Sequence, residues 1–96
     1  MDITHASQSL AALAHEGRLA VFRLLVIAGP DGLAAGEIAR KLATQPNTMS
    51  AQLLILSNAG LVRAHREGRS IIYAVDFEAM AAMLLLIRFV LVVCEG

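Results

Sequence analysis

Five side chains able to hydrogen-bond a polar polymer crowd into one short run: Gln45, Asn47, Thr48, Ser50 and Gln52, with the small Ala51 among them. An amide offers a donor and an acceptor side by side, so Gln52 can bond both N6 and N7 of an adenine. Hydroxyls and short amides serve phosphate oxygens as readily as base edges. The bland alternative is that Thr48 caps a helix and Ser50 is merely solvated. Further on, Arg63, Arg66 and Arg69 surround Glu67-Gly68, and Tyr73 follows. Arginines on a projecting hairpin suit phosphate or minor-groove contact, although a solvated strand edge that deters pairing has the same composition.

Catalysis is not readable here. The chain carries no Ser/His/Asp or Cys/His set, no glycine-rich phosphate loop and no converging carboxylates. His5, His15 and His65 lack metal-ligand spacing and fall on three different elements.

Periodicity supplies the elements that must position these groups. Apolar residues at helical spacing predict helices over 3–14 and 16–27, closed by Gly29-Pro30-Asp31-Gly32. A short helix is expected over 36–43, then a tight turn through Thr44-Gln45-Pro46-Asn47, since proline ends a helix and disfavours helix at the residue before it. Asn47 or Thr48 is expected to cap a helix running to 58, with Met49, Leu53 and Leu56 inward and Gly60 at its left-handed end. Residues 61–66 and 70–75 read as strands joined by the turn Glu67-Gly68-Arg69. Asp76 caps a last helix over 77–94.

The expected class is therefore mostly α with a small β-hairpin, in the order α-α-α-α-β-β-α: a winged helix-turn-helix in a single domain, 1–96. Residues 36–58 form its helix-turn-helix and 61–75 its wing.

Charge agrees with that reading once it is resolved along the chain. The net charge is zero. Residues 40–75, however, hold Arg40, Lys41, Arg63, Arg66 and Arg69 against Glu67 alone, a local net of +4. A duplex responds to that local field more than to the total. At 57% hydrophobic, ninety-six residues carry more apolar surface than one small core hides, which favours an oligomer. The apolar run 79–94 falls short of a bilayer span and holds Arg88 near its middle. No basic-then-apolar leader is visible at the N-terminus and Cys94 is the one cysteine, so a cytoplasmic protein with no membrane partner is expected.

Taken together, several short motifs resemble the ArsR/SmtB metalloregulatory repressors, closest to their arsenite-responsive branch. They are Ala11-Leu13-Ala14-His15 with Arg18-Leu19, Ala35-Gly36-Glu37-Ile38-Ala39, Asn47-Thr48-Met49-Ser50, Ala59-Gly60-Leu61-Val62, Arg66-Glu67-Gly68-Arg69-Ser70-Ile71-Ile72-Tyr73 and Asp76-Phe77-Glu78-Ala79-Met80. The resemblance implies a homodimer on an inverted-repeat operator in duplex DNA. Its first and last helices, 1–14 and 77–94, would form the interface through Leu10, Met83, Leu84, Leu86, Ile87, Val90 and Leu91. The helix over 47–58 would enter the major groove, and the wing over 63–73 would lie on the backbone.

The chain departs from that pattern in two places. The family often carries His where Gln52 stands, and charged residues where Leu54 and Ile55 stand. Those two are expected to pack on another element.

No certain cofactor follows. The resemblance implies release by As(III) or another thiophilic ion, but the family's sensing positions are poorly filled. Leu33-Ala34-Ala35-Gly36 holds no cysteine pair, and Asp76-Phe77-Glu78 supplies carboxylates only. Cys94 gives one thiol per chain to an ion that prefers three. Two Cys94 side chains meeting across a dimer, or ligands on a longer C-terminal tail, are the remaining routes to a site; a buried cysteine acting as a small hydrophobe is the plainer reading. The rival function is a winged-helix module that binds protein instead of DNA, which Leu54, Ile55 and the zero net charge would suit.

Overall fold

The computed structural model describes residues 2–95. Within them the order is α1 (Ile3–Leu13), α2 (Glu16–Ala28), β1 (Leu33–Ala34), α3 (Ala35–Lys41), α4 (Pro46–Asn58), β2 (Val62–Glu67), β3 (Ser70–Val75) and α5 (Phe77–Glu95). The expected winged helix-turn-helix is present with one addition. The two-residue β1 pairs antiparallel with β3, Leu33 opposite Tyr73 and Ala34 opposite Ile72, so the hairpin becomes a three-stranded sheet of order β1-β3-β2. Two apolar residues show no alternation of their own. β1 is a strand because the edge of β3 offers unpaired backbone groups.

Local chemistry explains the helix boundaries. Asp2 caps α1 by accepting from the His5 amide at 2.7 Å. His15 caps α2, its Nδ1 accepting from the Arg18 amide at 3.3 Å. Arg18 then reaches back, donating from Nε to the Ala12 carbonyl at 2.6 Å and from Nη2 to the Ala11 carbonyl at 3.4 Å. Those carbonyls belong to the last turn of α1; the Ala14 amide also bonds the Ala11 carbonyl at 3.2 Å, and the Arg18 side chain serves the Ala12 carbonyl beyond it. At the far end of α4, the Gly60 amide bonds the Ser57 carbonyl and the Leu61 amide bonds the Leu56 carbonyl. With Gly60 at φ +78° this is a Schellman stop, and it turns the chain into β2.

The core lies where α2, α3 and α4 meet the sheet. Val21, Leu25, Ile38, Met49, Leu53, Leu56 and Leu61 are its most deeply buried members. In α4 the i, i+4, i+7 set Met49, Leu53 and Leu56 fixes which face points inward, and so which face is left for a ligand. Helix α1 docks on the end of α4 through one carbonyl. The Ser9 hydroxyl donates to Ala59 O at 3.3 Å, and the His5 ring donates from Nε2 to the same oxygen at 3.2 Å.

Helix α5 meets this core only along one side, through Met83 with the half-buried Phe77, Met80 and Ile87. Of residues Phe77–Cys94 only Met83 is buried. The helix starts at Phe77 as expected and ends one residue beyond 94; taken whole it is not too short for a bilayer, as the apolar run 79–94 had suggested. By length and composition alone it is apolar enough to cross a membrane, with a mean hydropathy of 2.3 over Phe77–Cys94. Glu78 and Arg88 interrupt it.

Candidate nucleic-acid interface

Pro46 occupies the first turn of α4, where its missing amide costs nothing, and Gln45 takes the capping position. This corrects the expected start: neither Asn47 nor Thr48 is the cap, and both lie inside the helix. Gln45 makes no side-chain cap bond. The first-turn amides and the side chains of Asn47 and Thr48 therefore face outward together. The turn before α4 includes Ala43 at φ +50°, a left-handed position, and it brings α3 against the start of α4. Arg40 shares a shallow hollow with Thr44, Gln45 and Pro46, which sets a cation beside this helix end.

With Met49, Leu53 and Leu56 inward, the 3.6-residue period puts Asn47, Ala51, Leu54 and Asn58 along the opposite ridge. Asn47, Thr48, Ser50 and Ala51 are all exposed, as expected of residues that meet a ligand. Gln52 differs. It sits on the flank of α4, half-buried, with its amide nitrogen packed over Gly17 in the first turn of α2. A side chain with any Cβ at position 17 would collide with it. The expectation that Leu54 and Ile55 pack on another element does not hold for Leu54, which is 60% exposed on the ridge. Ile55 is 41% exposed and borders a hollow lined also by Gln8, Ala11 and Arg18.

The wing turn is shorter than expected. Glu67 pairs with Ser70, leaving a two-residue loop of Gly68 and Arg69. Gly68 alone has positive φ, +63°, the sign pattern of a type II′ hairpin. Arg69 thus stands at the tip and Arg66 on the adjoining strand, both exposed. Among the described residues neither forms an ion pair, nor do Arg40 and Lys41. Glu67 instead lies 3.6 Å from the His65 ring.

Arg63 and Tyr73 are placed differently from the other wing residues. Arg63 lies at the base of the wing and donates from Nε to Asp76. Tyr73 pairs with Ala64 and Leu33 in mid-sheet and packs, half-buried, against the core. Sequence reasoning had counted Arg40 and Lys41 in the basic stretch without assigning them to the site. The signal was their position, two cations ending a helix next to the turn that leads into α4; the fold sets Arg40 beside the start of α4.

The face expected to pair two copies is apolar and open. Ile3, Ala6, Ser7 and Leu10 of α1 form a groove with Leu86, Ile87, Val90 and Leu91 of α5. Leu10, Leu84, Val90 and Leu91 are each at least 44% exposed. Met83 is the exception. It is 4% exposed and belongs to the core, reaching only the groove floor, so it offers little to a second subunit.

Cys94 is exposed near the end of α5, not buried as the plainer sequence reading had it. Among the described residues no three His, Cys, Asp or Glu side chains gather where they could hold an ion. The donor set does not fit the thiophilic ion that the resemblance implies.

A family model described as a helix-turn-helix domain matches residues 13–65. The HTH-type transcriptional regulator YgaV of Escherichia coli (strain K12) is 29% identical over 79 residues, 82% of this chain and 78% of that protein. The homodimeric winged helix-turn-helix DNA-binding domain of a possible ArsR-family transcriptional regulator from Mycobacterium bovis is 31% identical. The match covers 92% of this chain and 79% of that one, with a TM-score of 0.75. An ArsR-like transcriptional regulator from Rhodococcus sp. RHA1 shares the fold at a TM-score of 0.84, over 96% of this chain and 84% of that one, at 21% identity. Fold, motif order and these matches agree: the chain is a regulator and not an enzyme, and it belongs to the ArsR family of winged helix-turn-helix transcriptional regulators.

Proposed function

We propose that this protein is a cytoplasmic homodimeric repressor that seats α4, entering by its N-terminal end, in the major groove of an inverted-repeat operator. The observation that carries the reading is the grouping at one end of α4: exposed Asn47, Thr48, Ser50 and Ala51, with Arg40 beside the helix start. The unpaired Arg66 and Arg69 of the wing add the cations that a phosphate backbone requires. Base edges are read by the polar side chains, with Gln52 reaching the groove from the flank. The wing and Arg40-Lys41 hold phosphates and fix the register.

The dimer reading rests on the α1–α5 groove. Left in water, the groove joins exposed Leu10, Val90 and Leu91 into one apolar face of the kind that marks an interaction surface. A second copy covers it by two-fold symmetry, which also generates two half-sites. Burial in a bilayer is the poorer account, because Arg88 lies midway along the helix and α1 contributes one wall of the groove. No inducer is assigned.

Selection of a random duplex library on the purified protein, at one stated salt concentration, tests the reading. Recovery of an inverted repeat with half-sites about one helical turn apart supports it. Enrichment of nothing beyond background moves the function to a protein-binding module, the second reading.

A further inference from the structure

We infer that Leu54 is a specificity residue that reads the C5-methyl group of a thymine in each half-site. The inference rests on the duplex-binding reading above and deepens it. Leu54 is not needed for the core, because Met49, Leu53 and Leu56 already fill the inward face of α4. It is 60% exposed on the same ridge as Asn47 and Ala51. Successive ridge residues Ala51 and Leu54 are three apart, about 4.5 Å along the axis, on the order of one base-pair step. The ridge is therefore continuous with the polar reading surface and advances along the groove with it.

The charge pattern says what that surface meets. Helix α4 contains no charged residue from Pro46 to Asn58, while the free cations lie to either side, on α3 and on the wing. Phosphates are served by the flanks, and the ridge is left to the base edges. The apolar feature of a major-groove edge is the thymine methyl, against which an aliphatic side chain gains by excluding water. A protein partner fits less well. A stable interface needs roughly 800 Å² on each side, and the apolar part of this face is only Leu54 with the small Ala51 and the 41% exposed Ile55, set among Asn47, Ser50 and Asn58.

The test uses the duplex recovered by library selection, with each thymine replaced in turn by deoxyuridine in both half-sites. Binding to the full chain is read by fluorescence anisotropy for the wild type, Leu54→Ala and Leu54→Met. One thymine per half-site is expected at which loss of the two methyls, one in each half-site, weakens the wild type roughly fifteenfold, each buried methyl being worth about 0.8 kcal/mol. Leu54→Ala should lose that dependence and Leu54→Met should keep it. If every uridine duplex binds the wild type as the parent does, or Leu54→Ala retains the same methyl dependence, the inference is overturned while the duplex reading stands. A Leu54→Ala protein that binds the thymine parent as tightly as wild type also overturns it. If the library enriches nothing, the duplex reading falls and this inference falls with it.

Discussion

The guanidinium of Arg63 donates through Nε to Oδ2 of Asp76 at 2.9 Å, and so ties the base of the wing to the cap of α5. Asp76 also accepts from the Ala79 amide at 3.0 Å through Oδ1. These bonds favour the ionised carboxyl and, against the opposing effect of desolvation, hold its pKa below the ordinary value of 3.8. The wing and the proposed dimer helix thus share one carboxylate.

Protonation of Asp76 should show in acid unfolding. The unfolded carboxylate takes up a proton more readily than the folded one. Its stabilisation is therefore complete above about 3.8 and is lost as pH falls through the lower folded value. Asp76→Asn keeps a capping oxygen and removes the charge, so urea melts between pH 5 and pH 3 should lack this part of the acid loss. Asp76→Ala also removes the cap and should cost about 1 kcal/mol at neutral pH. Identical acid limbs for wild type and Asp76→Asn would refute the assignment.

Gly17→Ala should alter DNA preference from outside the interface. The new Cβ would overlap the Gln52 amide, a flexible end that can swing away at little energetic cost. Stability should stay level or rise by up to about 1 kcal/mol, because alanine is the better helix former. In parallel library selections, Gly17→Ala and Gln52→Ala are expected to relax preference at the same base pair. An unchanged preference in Gly17→Ala would mean that the orientation of Gln52 does not matter to readout.

Wing and helix should separate in their response to salt. Arg69→Ala is expected to weaken all duplexes alike and to reduce the slope of log affinity against log salt by roughly 0.9 per lost phosphate contact. Gln52→Ala should leave that slope in place while broadening sequence preference. Arg63→Ala should affect the slope less than Arg69→Ala and stability more, because its Nε is engaged by Asp76. Titration of each variant at four or five salt concentrations distinguishes these outcomes.

Val90→Glu should separate the subunits. Val90 is half exposed within one chain and lines the groove with α1, so a carboxylate there leaves the monomer fold intact and puts charge into an apolar interface. Sedimentation should show a monomer with unchanged helical circular dichroism. A dimer of undiminished stability would place the interface elsewhere.

Much of the architecture is written in short-range pattern. The inward triad of α4, the stop at Gly60, the hairpin around Gly68 and the cap at Asp76 are each decided by a few neighbouring residues, because capping, turn and amphipathic preferences act within one or two turns. The polar run at 45–52 and the basic stretch were equally legible, since residue type and order need no third dimension.

What only the tertiary structure decided depends on chain segments far apart in sequence. β1 exists because β3, some forty residues later, presents an open edge. Gln52 turns to the flank because Gly17 leaves room for its amide. Met83 leaves the subunit face because the core has a place for it, and the Nε of Arg63 is engaged by Asp76 although the side chain stays exposed. Leu54 shows the converse: the sequence suggested that so apolar a residue would find cover, and the fold brings no element over it. Burial depends on which surfaces meet. A linear pattern can say which residues prefer to be inside, but not which of them the packing has room to take.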